Sequence, residues 1–506
     1  VDNLNTNEVK KIMVKDTMLY LPARIIEGAI GLLTISLYTR FFAPDVYGTY
    51  GIITTTVNIS SLLLLGWLIQ SVFRYVNDFD GNKKKVLFFS TSFTLWVLIN
   101  GVILSGGLAG IFLFSRSNEA WLTQLYILVI FMFISYNTTQ ILINVLSATR
   151  RTKLLLGLSI FSVAAKLLLT TFFVYYFKTN STTPAAAVIS HIIVDAIFIL
   201  IAVQRTRIYR YITFRLFSKK VLRKFLVYSM PLVGVNITMS MLTLSDRYVI
   251  TPILGTEKMG IYHANYSISS SVFTLILVAV MRGVYPVILK TWRLNNKPQT
   301  EHFLSQAVRY FLLISMPAFT GICILSDTIS KLFLDPKFYE QGFVIIWVAA
   351  GMLFFGLAEY SNKAWELTSN TKPLFYNTVI SAVINLGINI IFIPIYGYRV
   401  AAVSTAFSYF VYLTLSLVRS RKILKIDFSI KSLSRIFFSC AVMGISVFLA
   451  VEYLSSSFIA LPFIILFGIA VYFVCLYVSR EIDNEVKYAV NWLKDKKIRK
   501  NKQELP

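Results

Sequence analysis

Fourteen stretches of this sequence are long and apolar enough to cross a membrane, and that count constrains the fold more than any other feature. They run 17–39, 46–70, 86–114, 120–146, 154–177, 184–204, 226–250, 259–288, 309–333, 342–366, 374–394, 399–418, 433–454 and 458–478. A span needs about 20 mostly apolar residues, so fourteen fit within 506 residues. The runs do not alternate as barrel strands do. The expected fold is therefore all-α: a polytopic membrane protein with about 14 transmembrane helices. Charged residues are only 14% of the chain and mean hydropathy is +0.67, against roughly 25% charge in soluble domains. The first sixteen residues are polar, and the long run that follows predicts a retained first helix, not a cleaved signal peptide.

The net charge of +25 sits mainly in the loops. The N-terminus, the loops after even-numbered spans and the tail hold 35 of the 49 Lys and Arg. The opposite loops hold few, Arg116, Lys178, Lys258 and Lys337 among them, with Arg399 at the edge of a span. Positively charged loops stay on the cytoplasmic side, so both termini are expected there. The loop 205–225 carries eight bases with Tyr209, Tyr211, Phe214 and Phe217 among them. Basic residues mixed with aromatics can mark nucleic-acid binding. Next to a span, a linker on the anionic inner leaflet is the better reading. In the tail, Ile482, Val486, Val490 and Leu493 form an apolar stripe beside several lysines, which predicts an interfacial helix.

Chemistry-bearing residues are sparse. Cys323, Cys440 and Cys475 lie in apolar runs and form no C-x-x-C pair, and His191, His263 and His302 are far apart. Neither a disulfide framework nor a metal site is expected. No G-x-x-x-x-G-K-[ST] loop is present, so ATP is not expected to drive the protein.

An internal repeat is more informative. Phe42-Ala43-Pro44-Asp45-Val46-Tyr47-Gly48-Thr49-Tyr50 parallels Leu254-Gly255-Thr256-Glu257-Lys258-Met259-Gly260-Ile261-Tyr262 at an offset of 212, with the acid and Gly-x-Tyr in register. A fainter echo relates Thr149, Thr152 and Lys153 to Thr368, Thr371 and Lys372 at an offset of 219. Spans 1–6 and 7–12 are then two like-oriented halves, related by a pseudo-two-fold along the membrane normal. That is a transporter architecture, with its substrate site between the halves. The expected organisation is 1–204, a first six-helix lobe; 205–225, the basic linker; 226–418, a second lobe; 419–478, two added helices; and 479–506, the basic tail.

Ionisable residues inside spans are expensive and mark function by default. The bases Arg24, Lys166, Arg247, Arg282 and Lys363 come from both halves. They are expected to line a cationic central cavity suited to a phosphate or pyrophosphate, for which Arg supplies a planar fork of donors. Arg24, Lys166 and Arg282 are its main members. An interhelical ion pair with Asp195 or another acid is the alternative for Lys166, and snorkelling to the interface the alternative for Arg282. Glu27, Asp195, Asp246 and Glu359 are candidates for ion coupling or ion pairing. Arg24 with Glu27 and Glu359 with Lys363 stand at helical pair spacing.

With the repeat, the spans and these bases, the sequence resembles polysaccharide-type flippases of the multidrug/oligosaccharidyl-lipid/polysaccharide exporter superfamily, including O-antigen and capsule repeat-unit flippases. The residues that carry the likeness are Arg40 through Tyr50, Ser245-Asp246-Arg247-Tyr248, and Gly260-Ile261-Tyr262. The resemblance implies two V-shaped six-helix lobes around a cationic cavity. It implies movement of an undecaprenyl-pyrophosphate-linked oligosaccharide to the outer leaflet of a bacterial cytoplasmic membrane. Arg24 and Arg282 occupy places comparable to arginines that related lipid II flippases use. No chemical reaction and no cofactor are implied; the drive is the membrane potential or a coupling cation or proton. A monomer is expected, with a polysaccharide-assembly polymerase as a candidate partner. The competing readings are an ion-coupled multidrug antiporter of the same superfamily, which prefers an acid-dominated cavity and twelve spans, and a membrane glycosyltransferase or polymerase, which needs a larger external loop.

Overall fold

The computed structural model describes residues 6–79, 81–114, 120–176, 184–214, 216–427, 429–454, 460–483 and 485. The described residues are almost entirely helical: α1 Thr6–Phe41, α2 Pro44–Leu64, α3 Gly66–Tyr75, α4 Asn82–Phe114, α5 Ala120–Ala148, α6 Thr152–Tyr176, α7 Ala185–Thr206, α8 Lys219–Arg293, α9 Lys297–Phe333, α10 Phe343–Leu367, α11 Lys372–Tyr396, α12 Arg399–Ser420, α13 Ile430–Leu454 and α14 Ala460–Val478. Two short 3-10 turns, Ile208–Tyr211 and Pro336–Phe338, complete them. Most of the basic tail lies outside the described residues, and so does its proposed helix.

The helices reproduce the fourteen runs once two breaks are counted. Helices α4 to α14 each pass as a span, eleven in all, and α2 with α3 gives a twelfth, bent by 61°. At about 1.5 Å per residue the 75 residues of α8 measure roughly 112 Å, far more than the ~30 Å hydrocarbon core. Gly255, at φ 85° and ψ 171°, divides α8 into two arms at the expected loop between spans seven and eight. A side chain is disfavoured at that φ. The two arms raise the count to thirteen, and α1, 36 residues long, gives fourteen.

The bend in the second span was not foreseen; the sequence pattern predicts one helix over 46–70. It falls at Leu65, φ −121° and ψ −8°, just before Gly66. Trp67 Nε1 donates to the Leu64 carbonyl at 3.0 Å, so an acceptor at the break keeps a partner. That satisfaction is what a broken helix requires in a membrane.

The chain forms two compact units. The first holds residues 1–275 and 333–420, the second 276–332 and 421–506. In the first unit, Leu65, Leu68 and Val72 pack with Phe88, Val188 and Phe225 around a common core. Elsewhere in that unit α10 and α12 approach closely. Gly351 faces the backbone of Ala406, where a Cβ would stand 3.1 Å from the Ala406 Cα. Small residues drive such packing in lipid, where apolar side chains gain little from leaving the solvent. In the second unit, Gly444 of α13 sits against Thr320 of α9, and Tyr472 of α14 donates to the Leu313 carbonyl at 2.9 Å.

Candidate functional site

The repeated motif is built as a helix crossing. Pro44 opens α2 at the first-turn position where its missing N–H costs nothing, and Asp45 lies at the positive helix end. The other copy follows the Gly255 break. The two copies touch each other. A methyl placed on Gly48 would land on the Thr256 carbonyl oxygen, and one placed on Gly260 would land on that of Pro44. Under the offset of 212, Pro44 corresponds to Thr256 and Gly48 to Gly260. The contact is therefore reciprocal, as it must be on a local two-fold axis. It stands at the end of the helices whose loops carry few charges.

Polar groups fasten this crossing from within. Tyr47 is buried, edge-on to Phe338 at 5.6 Å and 5.5 Å from the His263 ring. Arg247 Nη1 donates to Thr55 Oγ1 at 3.1 Å, and its guanidinium lies over the Tyr266 ring. Tyr248 and Thr56 hydroxyls meet at 2.8 Å. Asp246 accepts from the Tyr262 hydroxyl and from the Arg247 backbone N–H. Asp246 and Arg247 are 3% and 6% exposed, so here they are structural parts of a closed contact.

The second Tyr of the motif reaches into the bundle of α1, α6 and α7. The Tyr50 hydroxyl and His191 Nε2 are 3.1 Å apart, and the Tyr50 ring stands edge-on to Tyr38, which donates to Thr170. In the same bundle Lys166 Nζ of α6 contacts Asp195 Oδ1 of α7 at 2.7 Å. The structure thus takes the ion-pair alternative for Lys166. Asp195 is 1% exposed while the Lys166 side chain keeps 20%. A buried carboxylate needs such a partner.

On α10, Glu359 accepts from Asn362 and from the Tyr412 hydroxyl, each at 3.4 Å, while Lys363 contacts Glu366 at 2.5 Å. Arg282 is half-buried on the second arm of α8 and belongs to the second unit. Glu27 is half-buried on α1; the side chain of Arg24, one turn before it, lies outside the described residues. Of the predicted cationic residues, Lys166 stands on its acid, Arg247 in the crossing and Lys363 beside Glu366, while Arg282 belongs to the second unit.

Intramembrane charge alone does not single out Tyr47, Tyr50, His191 and His263. The signal was present, since the Gly-x-Tyr repeat was visible. That the two copies would meet is a property of the fold. Among the described residues no cluster of His, Cys, Asp and Glu could hold a metal ion.

The family described as polysaccharide biosynthesis protein matches residues 13–292, more than half of the chain. The chain belongs to the polysaccharide biosynthesis protein family. The match includes both copies of the motif. The MatE family matches residues 231–391. Among curated relatives, a probable low-salt glycan biosynthesis flippase of Haloferax volcanii is 26% identical over 164 residues, 32% of this chain and 34% of that protein. A probable lipid II flippase of Rickettsia prowazekii is 27% identical over 252 residues, 45% of this chain and 47% of that protein. The matches thus span less than half the length of either relative. A solved lipid II flippase in an inward closed conformation has the same fold, with TM-score 0.72 and 16% identity over 93% of this chain and 99% of that one. An inward-facing multidrug resistance MATE family transporter follows at TM-score 0.64 and 12% identity, covering 81% and 97%.

Proposed function

We propose that this member of the polysaccharide biosynthesis protein family is a flippase. It carries an undecaprenyl-pyrophosphate-linked oligosaccharide from the inner to the outer leaflet of a bacterial cytoplasmic membrane by alternating access. The observation that carries the proposal is the reciprocal crossing at Gly48 and Gly260. A transporter needs a seal at one face that can part, and a contact made of two glycines, hydrogen bonds and ring edges is of that kind. The family match and the flippase names of both curated relatives support the cargo class. The basic loops favour a cytoplasmic position for the opposite end, and in this reading the crossing closes the outer face.

In this reading the protein breaks no covalent bond and uses no cofactor. The polyprenyl tail stays in lipid while the diphosphate and sugars pass between the helices. Each negative charge moved outward gains about 2.3 kcal/mol per 100 mV of inside-negative potential. The potential then supplies direction, with a cation or proton as the coupling alternative. Arg282 is proposed to meet the diphosphate near the cytoplasmic side. The sugar sequence is left open, O-antigen and capsule units included.

The test is a leaflet-accessibility assay with lipid-linked oligosaccharide in vesicles holding equal amounts of each variant. Arg282→Ala is expected to lose most transport, and Arg282→Lys to lose part because it keeps the charge without the guanidinium fork. Wild-type flipping by Arg282→Ala would remove that residue from the mechanism. The MatE match over 231–391 favours a second reading, an ion-coupled multidrug antiporter of the same superfamily. Export of a cationic dye by the same vesicles, with no flipping of glycolipid, decides for it.

A further inference from the structure

At the end of the second unit that carries basic loops, the first turns of α9 and α13 border two adjoining chambers. The helical period of α9 divides them. His302, Gln306 and Arg309 form a middle stripe that lines both. Glu301, Ser305 and Leu312 face the first chamber, of about 790 Å³. Phe303 and Tyr310 face the second, of about 700 Å³. Each volume is of ligand-pocket size, about 300–1,000 Å³.

The acids in these walls are largely spent. Glu301 accepts from the Lys425 backbone N–H at 2.9 Å, and Lys297 stands 3.9 Å from the same oxygen. Arg309 donates to Glu481 at 2.8 Å and to Glu485 at 2.6 Å. Ser432 also donates to Glu481, and Arg435 stands 3.5 Å from its other oxygen. Asp427 is the acid that remains; its backbone N–H donates to Ser305 Oγ at 2.9 Å. The bases are not spent. Arg421 and Lys425 line the first chamber, Lys431 and Arg480 the second. All of these are exposed, and none pairs with a carboxylate among the described residues. Each chamber therefore holds surplus positive charge. Apolar side chains complete the walls: Leu433 of α13 in the first chamber and Val287 of α8 in the second. Both are exposed, as is Phe437, one turn along α13 from Leu433.

We propose that the paired chambers bind one anionic phospholipid of the adjacent leaflet that carries two phosphates joined by a glycerol, as cardiolipin does. One phosphate sits by Arg421 and Lys425, the other by Lys431 and Arg480, and acyl chains run along Leu433, Phe437 and Val287. Basic pockets between helices at the membrane surface take such headgroups. The α9 stripe selects the spacing. Two phosphates that stand apart can straddle it, whereas the phosphates of a diphosphate share one oxygen and occupy one chamber. A lipid with a single phosphate engages only one pair of bases. The bound lipid ties α13 and the start of the tail to α9. This site is independent of the cargo proposed above, because neither the crossing nor Arg282 belongs to it.

The experiment uses full-length protein, delipidated in detergent. It is offered cardiolipin, or phosphatidylglycerol with the same acyl chains at equal total phosphate. Native mass spectrometry reads the lipids retained. Retention of one cardiolipin in preference to phosphatidylglycerol is expected. Lys425→Gln and Lys431→Gln, one in each chamber, should each cut that preference by about fivefold. Lys220→Gln, which removes an exposed base of the first unit, should leave it unchanged. If a variant folds poorly, hydrogen exchange of the wild-type protein decides: cardiolipin should slow exchange within 421–432. Equal retention of the two lipids overturns the proposal, and so does slowing confined to other segments. An equal loss of preference in Lys220→Gln overturns it as well, because general surface charge then explains the binding. Displacement of cardiolipin by an equimolar polyprenyl diphosphate also overturns it and assigns the chambers to the cargo.

Discussion

Adding one methyl group at the crossing should force the closed face open. In Gly260→Ala the new carbon would overlap the Pro44 carbonyl oxygen and stand 2.8 Å from its carbon and 2.9 Å from Gly48 N. Carbon atoms rest at about 3.5 Å or more, so relief of the carbon contact alone needs a separation of about 0.7 Å. Backbone lies on both sides, so no side chain can swing away. Overpacking of this kind costs about 1–3 kcal/mol. A middle value near 2 kcal/mol lowers the ratio of closed to open state by a factor of about 30. Gly48→Ala should act alike, because its methyl meets the Thr256 carbonyl. Met259→Cys reports on opening, since Met259 is 0% exposed in the closed contact. In a background with alanine at the three native cysteines, an impermeant maleimide is added to the face that carries the crossing. Both glycine variants should raise the labelling rate well above the parent. Gly157→Ala is the control, because its methyl meets nothing within 4 Å. Parental labelling in both glycine variants, inserted in normal amounts, would refute the reading of this contact as a gate.

Three further predictions concern other parts of the fold. Lys166→Ala leaves Asp195 buried without its 2.7 Å partner and should cost about 3–5 kcal/mol, whereas Lys166→Ala with Asp195→Ala together should recover much of that in thermal unfolding. Arg309 binds Glu481 at 2.8 Å and Glu485 at 2.6 Å. Burial raises the Glu485 carboxyl, but the hydrogen bonds and charge of Arg309 outweigh it and hold its pKa below the ordinary 4.5. A depressed pKa contributes stability above the ordinary value and loses it as pH falls through the folded value. The thermal-stability gap between wild type and Glu485→Gln should therefore be full at neutral pH and close in acid below 4.5; a gap that grows on acidification contradicts the sign. A single cysteine at Asn484 should be labelled from the cytoplasm and one at Ser456 from outside, both positions lying outside the described residues. The reverse pattern would overturn the orientation.

Membrane placement was legible in the sequence because it depends on runs of composition. A run of about twenty apolar residues is long enough to cross wherever it stands in the chain. The break at Gly255 lay where the apolar pattern lapses, so it too was visible. The 61° bend at Leu65 was not, because the run continues apolar through it. Which charges meet was also beyond the sequence. Lys166 stood near no acid of its own span, and helix packing brought Asp195 of α7 to it. The repeat could be read at an offset of 212, yet its reciprocal contact could not. A repeat says that two segments fold alike, while their meeting depends on the placement of helices more than 200 residues apart. Only the tertiary structure brings Pro44 onto Gly260 and Thr256 onto Gly48, because backbone-to-backbone proximity leaves no mark on sequence beyond the absence of a side chain.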